Sequence, residues 1–295
     1  MSIDPSLRVH AGAPAGCRQV VVDGVRLAVD DAGDGPAIVC LHAIGHGAAD
    51  FAGLRRRLAP RWRVLAPDWP GQGRSAADRE PPRAARYAAL LDGLLDACGV
   101  GRAVILGNSI GGAAALRYAA ERPERVTALV LENPGGLDRT DDPVARTVIR
   151  AMVAFFDAGA RGASWFPAAF AAYYRLVLQR AAAAEHRRRI VASAPEIAPL
   201  LRDAWTGFGE PDADVRHLAP AIRCPVLVAW AARDQFIQLR RCRPALRSFA
   251  DARLETFRAG HAPHLETPDA FETALERFLE PLCRADAPAD AARTA

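Results

Sequence analysis

The stretch that most constrains this 295-residue chain runs from Ala103 to Glu121. There an apolar AVIL segment meets Gly107-Asn108-Ser109-Ile110-Gly111-Gly112 and then an alanine-rich run. Ala103 to Leu106 is apolar at every position, the pattern of a strand buried on both faces of a parallel sheet. Ile110 to Glu121 has the composition of a helix. A G-x-S-x-G turn between such a strand and helix is very tight. Glycines are needed on either side of the serine, because a Cβ there would strike the neighbouring strand or helix. The turn lifts the Ser109 hydroxyl out of the sheet at a helix N-terminus, where the dipole favours the negative charge of acyl transfer. A parallel strand must be covered by helices, so this unit alone predicts a layered α/β domain.

The remaining periodicity agrees. Gln19 to Val22 and Val25 to Asp30 flank Asp23-Gly24, a strong hairpin signal, so the sheet should open with an antiparallel edge. Further strands are expected at Ala37–Leu41, Val64–Ala66, Ala128–Leu131, Pro225–Ala229 and near Leu254–Phe257, giving a mostly parallel eight-stranded sheet. Arg83–Cys98 and Pro268–Leu282 read as covering helices, the latter with proline in its first turn. From about Leu137 to Leu218 no buried strand is found. Helices are expected there at Val144–Phe156, Pro167–Arg180, Ala182–Ala192 and Ala198–Phe208. The expected organisation is therefore core (1–136), helical cap inserted after strand 6 (137–218), core (219–284) and a disordered tail (285–295).

Composition excludes several classes. The length can bury a full core without metal or disulfide staples. The net charge of +4 is spread along the chain, and its densest cluster, Arg187 to Arg189, reads as a solvated helix face rather than a nucleic-acid patch. The six cysteines form no CxxC pair and suit no zinc site, which fits a reduced, cytoplasmic setting. Met1 to Cys17 lacks the apolar region of a signal peptide, and no apolar run reaches membrane-spanning length. Gly33 to Gly35 opens no helix and is not a phosphate cradle. No cofactor and no metal are expected. The expected partner is a small-molecule substrate, not nucleic acid or a membrane, and a homodimer is left open.

With these motifs in view, the chain resembles the α/β-hydrolase superfamily over everything but the cap and tail. Four further landmarks carry the resemblance. Leu41-His42-Ala43-Ile44-Gly45 resembles the family's His-Gly oxyanion loop, with Ala43 in place of the usual glycine. The resemblance implies that the backbone N–H groups of Ile44 and Ile110 form the oxyanion hole and that His42 shapes the loop. His46 is left open between pocket and solvent. Asp68-Trp69-Pro70-Gly71-Gln72-Gly73-Arg74-Ser75 resembles the family's structural D-x-x-G-x-G-x-S turn. Asp234, just past the late PVLVA strand, stands where the family keeps the acid that orients the histidine; Glu132, ending the ALVL strand, is the rival. Gly260-His261-Ala262-Pro263-His264-Leu265-Glu266-Thr267-Pro268 resembles the histidine loop before the last helix. His261 is implied as general base, with His264 packing at the loop or cap edge. The implied order Ser109, Asp234, His261 is that of the superfamily.

The cap is rich in aromatics, among them Phe155, Phe156, Trp165, Phe166, Phe170, Tyr173, Tyr174, Trp205 and Phe208. Most should form cap core, with a few facing a hydrophobic or aromatic substrate. Arg175 and Arg180 are the cap's candidates to hold a substrate carboxylate. The Gly-Asn-Ser-x-Gly-Gly elbow resembles the meta-cleavage-product hydrolases, which split carbon–carbon bonds in ring-fission dienones. Ala262 stands where those enzymes usually carry tryptophan, so ester, lactone and dienone hydrolysis all remain open. A serine at position 109 argues against the dehalogenases and epoxide hydrolases of this fold, which use aspartate. A cofactor-free oxygenase or haloperoxidase, and a non-catalytic ligand sensor, are the alternatives on the same fold.

Overall fold

Asp23 and Gly24 turn the chain with φ of 49° and 75°, the backbone that a two-residue hairpin requires. They join β1 (Cys17–Val22) to β2 (Val25–Ala32). The computed structural model describes residues 16–138 and 142–285. Within them the sheet is completed by β3 (Ala37–Leu41), β4 (Arg63–Pro67), β5 (Ala103–Asn108), β6 (Val126–Glu132), β7 (Val226–Ala231) and β8 (Ala252–Phe257). The eight strands lie in the order β1-β2-β4-β3-β5-β6-β7-β8. β2 pairs antiparallel with both β1 and β4, and every later pairing is parallel. The chain therefore has the α/β-hydrolase architecture that its sequence predicts.

Strand geometry explains the unbroken apolar runs. Successive side chains point to opposite faces, and both faces are buried here. On one face, Ile105 and Leu129 pack with α2 (Ala84–Ala97) and α3 (Ile110–Glu121), through Leu90, Leu91, Leu94 and Leu116. On the other, Val104, Leu106 and Val130 pack with α1 (Ala52–Leu58) through Leu54 and Leu58.

Among the described residues four α-helices lie between β6 and β7: α4 (Pro143–Ala160), α5 (Phe166–Val177), α6 (Ala184–Ala192) and α7 (Ala194–Gly207). Asp142 caps α4 by accepting from the Ala145 N–H at 2.8 Å. The rings of Phe156, Phe166 and Phe170 are fully buried, and those of Phe166 and Phe170 stack at 5.4 Å. After β7 come α8 (Leu239–Leu246), the one-turn α9 (Pro263–Glu266) and α10 (Pro268–Ala285). Phe271, Leu275 and Leu279 of α10 join the second core face.

The short helices α1, α8 and α9 were not expected from the sequence. α1 buries only Leu54 and Leu58, and α8 buries only Cys242 and Ala245 around an internal proline, so neither shows a helical stripe. Of the tail expected to be disordered, Ala285 is the last residue of α10, and 286–295 lie outside the described residues. No helix among the described residues is long and apolar enough to cross a membrane.

The cap core generates one prediction. A Cβ at Gly159 would stand 2.6 Å from the Phe166 ring, which has nowhere to go. Gly159→Ala should cost about 1–3 kcal/mol through overpacking. Thermal unfolding should show Tm lowered by roughly 3–10 °C; an unchanged Tm would mean that the cap core yields at no cost.

Candidate active site

The centre is built on the turn between β5 and α3. Ser109 sits there with φ 57° and ψ −119°, a conformation that side chains rarely adopt. Its N–H donates to the Glu132 carbonyl at 3.0 Å, and its carbonyl accepts from the Gly135 N–H at 3.0 Å. The flanking glycines are sterically required. A Cβ at Gly107 would lie 2.4 Å from the Gly111 carbonyl oxygen, and one at Gly111 would lie 2.4 Å from that of Leu41 on β3.

His261 and Asp234 meet from the loops after β8 and β7. The His261 Nδ1 lies 2.6 Å from Asp234 Oδ2, and both side chains are buried. The same Oδ2 accepts from the Asn133 amide at 2.7 Å. Asp234 Oδ1 accepts from the N–H groups of Phe236 and Ile237 at 2.8 and 3.0 Å. A carboxylate held by four hydrogen-bond partners is fixed in direction. Burial works against a charged imidazole at His261, but the Asp234 carboxylate outweighs it and holds the pKa above the ordinary value.

Three side chains that the sequence reading did not single out hold this geometry. The Asn108 amide donates to the carbonyls of Glu132 and His261, both at 3.1 Å, and so ties the serine turn to the histidine loop. Asn133 bridges β6 and β7: besides contacting Asp234, its Oδ1 accepts from the Ala231 N–H at 2.6 Å. Glu266 Oε1 accepts from the N–H groups of Gly260, His261 and Ala262, and its Oε2 from those of Gln179 and Arg180 at the end of α5. Asn108 and Glu266 stand inside motifs read from the sequence and Asn133 beside one, but nothing in those motifs told what they bind.

The rival acid has another partner. Glu132 is fully buried and lies 2.8 Å from His264 Nδ1, and His264 stacks on Phe51 at 4.7 Å. His264 therefore does not sit at the loop or cap edge as expected. A buried carboxylate at the end of β6 needs a hydrogen-bonded partner, and His264 supplies it.

His42 shapes the loop after β3. Burial pushes its pKa down to about 4, so the ring is neutral. Its Nε2 accepts from the Trp69 N–H at 2.9 Å, leaving Nδ1–H to donate to the Ala43 carbonyl at 2.7 Å. Asp68 anchors the same region, accepting from Ala48 N–H and from Arg74 backbone and side chain.

Ser109, His261, Ile44 and Ile110 line one cavity of about 500 Å³ under the cap. His46, left open by the sequence, also lines it. Of the cap aromatics, Tyr173, Tyr174, Trp205 and Phe208 face the cavity, joined by Phe236. Arg175 and Arg180 do not; both are exposed outside it. The arginines on the cavity wall are Arg83, Arg240 and Arg241 instead. Residue identity alone could not separate these from the arginines of the outer cap face. Among the described residues no cluster suits a metal ion.

Comparison with known proteins places the chain in a family. The model of the alpha/beta hydrolase fold matches residues 36–268. A 2-hydroxy-6-oxo-6-phenylhexa-2,4-dienoate hydrolase of Burkholderia cepacia is 30% identical, the match covering 86% of this chain and 91% of that one. Among solved structures, a thermophilic esterase from Thermogutta terrifontis superposes with a TM-score of 0.77 at 24% identity, covering 90% of this chain and 98% of that one. The enol-lactonase from Burkholderia xenovorans LB400 superposes with a TM-score of 0.74 at 24% identity, covering 89% and 99%. The chain belongs to the α/β-hydrolase family and is a hydrolase of that fold.

Proposed function

We propose that the protein is a serine hydrolase in which Ser109 is the nucleophile, His261 the general base and Asp234 the orienting acid. The observation that carries this reading is the 2.6 Å contact between Asp234 and His261 Nδ1, on the same cavity as a serine in a strained, glycine-flanked turn. With Nδ1–H committed to Asp234, His261 Nε2 is the nitrogen left to accept the Ser109 proton as Oγ adds to a substrate carbonyl. The oxyanion is held by the N–H groups of Ile44 and Ile110. His261 then returns the proton to the leaving group as the carbonyl–leaving-group bond breaks, and water releases the acyl group by the same steps in reverse roles.

The substrate class is a small hydrophobic or aromatic ester or lactone. The aromatic wall of Tyr173, Tyr174, Trp205, Phe208 and Phe236 supports it. A carbon–carbon cleavage of a dienone acid is the second reading. It is favoured by the Burkholderia cepacia relative and by Arg83, Arg240 and Arg241 on the wall, which suit a carboxylate.

Intact-mass analysis after treatment with a fluorophosphonate should show one adduct on wild type and none on Ser109→Ala or His261→Ala. Ester turnover should fall by at least about 10⁴-fold in both variants. Equal labelling of Ser109→Ala would remove the serine from the reaction.

The pH profile follows from the raised His261 pKa. The base must be neutral, so kcat/KM should climb with pH through a midpoint above the ordinary imidazole value of 6.5. Asp234→Asn removes the carboxylate that raises it. Its residual activity, down by about 10⁴-fold, should titrate at lower pH than wild type. A midpoint unmoved by this substitution would show that Asp234 does not face the base in solution.

A further inference from the structure

The reaction above leaves a second acid–histidine pair on the cavity unused. His46 is 7% exposed and lines the cavity with Ser109 and His261. Its Nδ1 is paired with the buried carboxylate of Asp50, four residues on. Its ring lies 5.9 Å from that of Tyr174, which also faces the cavity. Asp50 is held from the cap side as well: Oδ1 lies 3.1 Å from His186 Nδ1 and accepts from Arg189 at 3.2 Å, both on α6. Burial opposes the Asp50 charge, but His46 and His186 outweigh it and hold its carboxyl well below the usual range.

An ionised Asp50 takes the Nδ1–H of His46, and Nε2 is left over. That atom has no partner among the described residues, and it is not sealed inside the protein as His264 Nε2 is. It therefore opens on the cavity. With Nδ1 held by Asp50, Nε2 is the ring nitrogen left to bond a ligand, and a hydroxyl can either donate to an imidazole nitrogen or accept from it.

Building on the serine-hydrolase reading, we propose that His46 is a specificity-determining residue whose Nε2 hydrogen-bonds a hydroxyl carried close to the scissile carbonyl of the substrate. Its place in the chain sets the distance, because His46 follows two residues after Ile44, whose N–H is assigned to the carbonyl oxygen. The preferred substrates are thus hydroxylated acyl esters or lactones. Asp50 is the positioning residue that fixes the ring.

The test compares p-nitrophenyl butyrate with its 2-hydroxy and 3-hydroxy analogues. Wild type should prefer at least one hydroxy ester by about tenfold in kcat/KM, the worth of one well-made hydrogen bond. His46→Asn keeps a donor for Asp50 but has nothing at the Nε2 position, so its Tm should stay within a few degrees while the ratio falls to about one. His46→Gln places an amide oxygen near the Nε2 position and should recover part of the preference. It also carries the test if the asparagine variant does not fold. The free acids, titrated calorimetrically into the same proteins, report the preference without needing Ser109. A His46-dependent preference in binding with no ester turnover would sink the hydrolase reading and leave this one standing. Ester turnover with a ratio near one in wild type, or a wild-type ratio kept in His46→Asn, overturns this proposal alone.

Discussion

Ser109 holds φ at 57° although it carries a side chain. Backbone of this kind costs about 1–3 kcal/mol and lasts only where the surroundings over-determine it. Here they do so from several directions. β6 receives the Ser109 N–H through the Glu132 carbonyl, and Gly135 returns a bond to the Ser109 carbonyl. Gly107 and Gly111 let α3 and β3 come within distances that no Cβ would allow. The Asn108 amide spans from β6 to the histidine loop. Sheet register, helix approach and loop position all converge on one strained peptide, and the strain puts the hydroxyl in the cavity.

The pairs at β6 and β7, Glu132 with His264 and Asp234 with His261, show how local detail assigns roles. Glu132 and Asp234 follow or end neighbouring parallel strands, and His261 and His264 are three residues apart on one loop. By chemistry alone either acid could serve either histidine. Asn133 and the N–H groups of Phe236 and Ile237 bind Asp234. Glu132 instead sits beneath, with His264 clamped on the Phe51 ring. His261 of the first pair lines the cavity, and Glu132 and His264 are buried without lining it.

Much of this was legible before the coordinates. The inner strands were readable because burial on both faces leaves continuous apolar runs, and β1 and β2 because Asp23-Gly24 marks the hairpin between them. The serine turn was readable because its glycines are sterically compulsory. The pairing of Asp234 with His261 rested on motif position. The short helices α1 and α8 were not legible, because each buries two residues and leaves no periodic stripe. The Asp50–His46 pair was hidden for another reason. A single buried aspartate near a histidine has no spacing signature, and its other partners, His186 and Arg189, come from more than a hundred residues away. Arg240 and Arg241 could not be told from Arg175 and Arg180 without knowing which helix face turns inward.

Glu266 binds the backbone around His261 with one oxygen and the backbone at the end of α5 with the other. The α5 exit and the His261 loop thus share a joint. A cap that evolves, or is grafted, to admit a new substrate must reproduce the chain path through Gln179 and Arg180, or it will tilt the imidazole. Exchange of caps between relatives is therefore freer at α4 and α7, to which Glu266 makes no bond, and most restricted at the α5 exit. Diversity of substrate among such enzymes should accumulate at the first and be scarce at the second.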